Sequence, residues 1–327
     1  MTSMHQNTIF NFRLIVTCTI LNIIILFPIA NTYAQNTAAA PVSIIDLRAA
    51  ELYSNNAGSG KVDIYLKVYY DISSNYEPAT EHVSVFESRG NRLVSIVELI
   101  KDTSYIQGSQ VPLSCDVKVN NKLRAVLYHA RIDLGLMYND YDISWGFCCL
   151  DPMIKNMDLE GKKASALTVT IQNPALDVKN SMPFLTEIPV HKICRNTTSA
   201  FSLKAIDSDS DKVNYSFSTP LSSKTTNQRK YDYPATDIPN ANVLEIEMGF
   251  SGTFLTGHPP FEPLTFKKGY TESKPMTNQT LDLNFKTGEM SYSLKEAGKY
   301  LLTFSVSEQR NNTKLSEHQI LLILEIL

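Results

Sequence analysis

The sequence has no histidine pair at catalytic or metal-binding spacing, no C-x-x-C, no G-x-S-x-G and no run of basic residues. Each absence narrows the chemistry. His5, His82, His129, His191, His258 and His318 are too scattered for an H-x-x-H or H-E-x-x-H zinc site. Without a nucleophile elbow there is no local signature of a hydrolase, and we expect no enzyme and no catalytic residue. A net charge of −3 and a pI near 6.1 leave no basic footprint for nucleic acid or an anionic membrane surface. Gly58-Ser59-Gly60-Lys61 is only a fragment of a phosphate loop. Asn55 stands where the first glycine belongs, and Val62 where Ser or Thr is required. A helical stripe is also missing after the first segment; at most Asp158–Ala166 makes a short helical turn.

The N-terminus is the clearest segment. Arg13 precedes an apolar stretch from Leu14 to Ala30, and Thr32-Tyr33-Ala34 precedes Gln35. A basic start, an apolar centre and a small-residue exit predict a signal peptide over residues 1–34, with the mature chain starting at Gln35. The alternative is a retained anchor, for which a run of about 17 residues is marginal. Cys18 lies inside the apolar run and leaves with it. Cys115, Cys148, Cys149 and Cys194 remain, an even set that in an exported protein predicts disulfides. Adjacent Cys148 and Cys149 point to opposite faces of a strand. One is therefore expected to bond Cys115 and the other Cys194, with the assignment open.

Period-two alternation dominates the rest. Val62, Ile64, Leu66, Val68 and Tyr70 share one strand face, and Asp63, Tyr65, Lys67 and Tyr69 the other. His82–Ser88 and Arg92–Ile100 read as a hairpin through Gly90-Asn91. Leu123–His129, Tyr141–Phe147 and Leu167–Ile171 follow the same rule. So do Phe201–Ile206, Val213–Phe217, Val243–Phe250, Leu281–Phe285, Met290–Leu294, Tyr300–Val306 and Ile320–Leu327. Many short strands without interposed helices predict an all-β protein of tandem immunoglobulin- or cadherin-like sandwiches. The proline-bearing stretch Asn173–Pro189 suggests a first domain over residues 35–180 and a second over 181–327.

The best site candidate is the loop Asp207-x-Asp209-x-Asp211, with Glu308 as a further ligand if its strand end lies nearby. Calcium takes about six to eight oxygens, and alternating carboxylates converge when a loop curls around the ion. The bland alternative is a solvated acidic turn. Trp145, the sole tryptophan, alternates with apolar residues and reads as core beside a disulfide. Tyr231 and Tyr233 lie in a long polar loop and offer rings for ligand contact.

Several segments, in order, resemble one family. Tyr141-Asp142-Ile143-Ser144-Trp145-Gly146-Phe147-Cys148-Cys149, then Met182-Pro183-Phe184 and Ile193-Cys194-Arg195-Asn196, form the first group. Ala205-Ile206-Asp207-Ser208-Asp209-Ser210-Asp211, Gly298-Lys299-Tyr300 and Ser307-Glu308-Gln309-Arg310 follow. Together they resemble large surface proteins of Bacteroidetes, of the gliding-motility-associated, adhesin-like type. Ser210 stands where that family carries glycine, and Leu150-Asp151 follows the double cysteine in place of Arg-Asn. The resemblance implies an extracellular or outer-surface protein, with the periplasm as the alternative location. Its role would be adhesion or motility-associated contact, its partner a surface protein or glycan, and its only membrane link export or attachment. Two other functions are carried alongside: a carbohydrate-binding accessory using Tyr231 and Tyr233, and a hydrolase with a site assembled from distant residues.

Overall fold

The computed structural model describes residues 47–74, 77–103, 107–110, 122–135, 140–147, 150–159, 165–171, 179–187, 189–225, 253–254, 259–277 and 280–327. The signal peptide expected over residues 1–34, Cys18, Cys115, Cys148, Cys149, Tyr231, Tyr233 and the strand expected over Val243–Phe250 lie outside them.

The chain is all-β. Its first half forms β1 (Leu47–Gly58), β2 (Lys61–Asp71), β3 (Thr80–Glu87), β4 (Arg92–Lys101), β5 (Gln107–Gln110), β6 (Lys122–Asp133), β7 (Tyr141–Phe147), β8 (Met157–Asp158) and β9 (Ser165–Ile171). Short pieces follow: β10 (Asn180–Ser181), β11 (Phe184–Leu185), β12 (Lys192–Ile193), β13 (Thr197–Ser202), β14 (Ala205–Ile206), β15 (Lys212–Phe217), β16 (Leu221–Thr225), β17 (Thr253–Phe254), β18 (Phe261–Pro263) and β19 (Thr265–Phe266). The last four are β20 (Thr280–Leu283), β21 (Glu289–Leu294), β22 (Gly298–Arg310) and β23 (Thr313–Ile326).

Turn chemistry places the hairpins. Gly58, Ser59 and Gly60 all have positive φ, so the phosphate-loop fragment is the turn between β1 and β2. A Cβ on Gly60 would sit 2.2 Å from the Gly135 carbonyl oxygen, which makes glycine obligatory there. Asn311 and Asn312, with φ of 52° and 65°, make the tight turn between β22 and β23. The helical turn expected at Asp158–Ala166 is corrected at both ends: Asp158 closes β8, and Ser165 and Ala166 open β9. Cross-strand pairing outweighs helix propensity here, because Ser165 and Ala166 register against Phe147 and Gly146.

One antiparallel sheet runs β15-β22-β23-β1-β2-β6, and it separates two apolar cores. Alternation divides its side chains between them. Ala50, Leu52, Ile64, Leu66, Val126, Tyr128, Leu301, Leu321 and Ile323 enter the first core, with Val83, Val85, Ile143, Trp145, Leu167 and Val169 from β3, β7 and β9. Ala49, Tyr69, Leu123, Ala125, Leu302, Phe304, Leu322 and Leu324 enter the second, with Phe201, Met290 and Tyr292 from the three-stranded sheet β13-β21-β20. Strands from both sides of residue 180 share this sheet. β23 bonds β1 through Ala49–Glu51 and β9 through Val169–Ile171, and Val42–Leu327 is one compact unit. The two cores therefore lie back to back on shared strands.

Candidate metal centre

Asp207 follows β14, and its side chain organises the loop behind it. Its Oδ1 accepts the N–H groups of Asp209 at 2.8 Å and Asp211 at 3.0 Å. This is the local turn that aspartate favours. Ser210 takes φ 65°, the left-handed conformation glycine enters most easily. The loop thus keeps its curl with serine in that place.

Asp211 leads into β15, whose register against β22 sets Val213 opposite Glu308. That pairing brings a glutamate from about a hundred positions away onto the aspartate loop. One carboxylate oxygen each of Asp207, Asp211 and Glu308 lies within 4.8 Å of the others. Oxygens bound to one calcium at about 2.3–2.6 Å lie at most about 5 Å apart, so the spacing fits a shared ion.

The hydrogen bonding is unbalanced. Glu308 is fully buried; its Oε1 accepts from Asn180 Nδ2 and Ser316 Oγ, while Oε2 is buried without a donor. Asp207 Oδ2 is likewise buried and unpartnered, as is Asn55 Oδ1 on the strand that pairs β10. Burial, and then the neighbouring Asp207 carboxylate, push the Glu308 carboxyl up to about 8. Asp211 is held at both oxygens by Arg310, at 2.8 and 2.6 Å.

Of the four ligands expected from sequence, the structure brings together Asp207, Asp211 and Glu308 and not Asp209. Asp209 Oδ2 accepts the Ser181 N–H at 2.6 Å and lies 3.7 Å from Arg310, so it ties the loop to β10. Sequence reasoning gave no role to Asn180, Ser316 or Arg310. Only Arg310 had a signal, the Glu308-x-Arg310 spacing; Asn180 and Ser316 reach the site through pairings a linear reading does not contain.

The remaining expectations divide. Trp145 is core: it stacks on Phe147 at 4.7 Å, and its Nε1 donates to Glu81 Oε2 at 3.1 Å. Cys194 is disulfide-bonded; Cys115, Cys148 and Cys149 lie outside the described residues. The rings of Tyr231 and Tyr233 lie outside them too.

No model of a known protein family matches the chain, and no curated protein matches it.

Proposed function

We propose that this chain is an exported, non-enzymatic interaction protein of the cell surface or extracellular space, braced by one calcium ion on Asp207, Asp211 and Glu308. The observation that carries the reading is a pair of buried, donor-less oxygens, Glu308 Oε2 and Asp207 Oδ2, on two acids of a three-carboxylate cluster. Buried polar atoms without partners are rare and destabilising, and a divalent cation satisfies all three acids at once. The ion would join the β14–β15 loop to β22, and its chemistry there is structural, not catalytic. Extracellular modules work with weak calcium sites because the ion is abundant outside cells. The Cys194 disulfide supports the same compartment. So does the ordered resemblance to adhesin-like Bacteroidetes surface proteins.

Thermal unfolding in excess calcium and in EDTA tests the brace. An ion that binds only the folded state adds about 2.7 kcal/mol at a hundredfold excess over Kd. We expect Tm several degrees higher in calcium, and no difference in Glu308→Gln. Equal Tm in calcium and EDTA for the unaltered protein would reduce the cluster to a proton-sharing acidic pair. Fractionation tests the compartment: recovery of the processed chain from the cytoplasm would contradict export.

A further inference from the structure

A cleft of about 910 Å³ opens beside the carboxylate cluster, and Asp207 and Asp211 belong to both. Its walls come from β13, the β14–β15 loop, the start of β15 and the turn at Lys286-Thr287. We infer that this cleft captures an extended acidic peptide segment of a partner protein, through calcium and through Lys204, Lys212 and Lys286. The inference rests on the calcium reading above.

Charge is the first argument. Lys204, Lys212 and Lys286 are exposed on the cleft and form no ion pair among the described residues. Arg310 and a divalent ion together offset all but one of the carboxylates Asp207, Asp209, Asp211 and Glu308. The lysines then outweigh that carboxylate and Glu289 of the wall. Coordination is the second. Three side chains do not fill a shell of about six to eight oxygens, and Asp207 and Asp211 also line the cleft, so a ligand carboxylate reaching in from it would add to the shell.

Backbone geometry argues for a peptide. β15 bonds β22 on one side and has no strand on the other among the described residues. The Tyr215 N–H points outward, to Phe285 O at 2.8 Å. By antiparallel alternation Val213, two residues earlier on the cleft wall, also directs its main-chain groups outward. At Tyr215 this edge is taken by the Phe285 carbonyl, and an extended chain adds by main-chain hydrogen bonds at Val213. Exposed apolar surface is at hand for its uncharged residues: Ile206 on the wall is 46% exposed, and Phe285, next to Lys286, 58%.

The test uses the mature chain and an array of short extended peptides. Glu or Asp alternates in them with Val or Thr, and amide counterparts and polygalacturonate serve as comparisons. The calcium-dependent Tm shift is measured first; its absence overturns the parent reading before any peptide is added. Given that shift, we expect acidic peptides to bind in calcium and to lose affinity about tenfold or more in EDTA. The double variant Lys204→Glu, Lys212→Glu should lose binding by a similar factor while keeping the Tm shift, and Lys274→Glu should lose neither. Equal binding of the amide peptides, binding in EDTA as in calcium, retention of polygalacturonate alone, or no retained peptide would each overturn the inference.

Discussion

Two groups of buried charges sit on the central sheet, and they are solved in opposite ways. At its β1–β2–β23 region each of the buried charges faces an opposite charge within 4.0 Å, although Glu51 Oε2, Arg48 Nε and both ring nitrogens of His191 and His318 lack a hydrogen-bond partner. Glu51 and Lys67 are cross-strand neighbours, their charged atoms 4.0 Å apart, and His318 Nε2 lies 3.4 Å from Glu51 Oε1. Lys67 Nζ also donates to Leu185 O at 2.7 Å, and Glu51 Oε1 accepts the Leu185 N–H at 2.9 Å. Beside them Arg48 and Lys192 face Asp71 and Glu325 at 3.4 to 4.0 Å, two cations against two anions. At the β15–β22 end, Asp207, Asp209, Asp211 and Glu308 gather, and among the described residues Arg310 is the one cation ion-paired with them. The first group balances its charges within the protein. The second is short of positive charge, and that difference is the ground for proposing an ion from solution there.

Removing charge should therefore act with opposite sign in the two places. The largest effect is expected for Lys67→Met, which strands Glu51 in the interior. Breaking one partner of a buried pair costs about 3–5 kcal/mol, readable as a lower denaturant midpoint. Burial already pulls the Lys67 ammonium below the usual lysine range, with Glu51 opposing, so this pair sits under strain from desolvation. By contrast Glu308→Gln in EDTA above pH 8 should be more stable than the unaltered protein, because the amide spares a buried carboxylate its desolvation. A loss comparable to that of Lys67→Met would break the comparison.

The pH dependence sharpens it. The folded, metal-free protein holds a proton on Glu308 that the unfolded chain has released, since the carboxyl is raised from 4.5 to about 8. Rising pH through that window then favours unfolding, so stability should be intact below about 4.5 on this account and decline towards 8. Calcium, taking the place of the proton, should flatten the decline, and so should Glu308→Gln; urea midpoints at a series of pH values show either result. On the acid side His191 acts in the opposite sense. Burial, then Lys192 and Arg48, depress its imidazole to about 3, so stability should fall as pH drops below 6.5. The smallest effect is expected on the surface. Lys155 and Glu296 are paired at 2.8 Å but both well exposed, and Lys155→Ala should change stability by less than about 1 kcal/mol.

Alternation made much of the fold legible. The apolar face read from Val62 to Tyr70 is the face β2 turns to the first core, and the hairpin read through Gly90-Asn91 joins β3 to β4. What stayed hidden was β1. Arg48 and Glu51 interrupt its pattern, and Ala49-Ala50 looks like spacer, yet the strand is buried on both faces and lies between β23 and β2. A strand that feeds two cores shows no polar face, so period two cannot find it. The shared sheet was invisible for the same reason: Tyr69 counted as the polar side of β2 and is core of the second layer. At the site the aspartate spacing and Glu308 were legible because carboxylates announce themselves. Asn180 and Ser316 were not, since an amide and a hydroxyl are common everywhere and only pairing brings them to Glu308.

The most direct measurement is a calorimetric titration of calcium into the metal-free mature protein at neutral pH, beside Glu308→Gln and Asp209→Asn. The account predicts one site per chain, lost in Glu308→Gln and retained, if weakened, in Asp209→Asn, whose side chain ties the loop to Ser181 and stands outside the cluster. No saturable binding in the unaltered protein, or equal binding in Glu308→Gln, would contradict it.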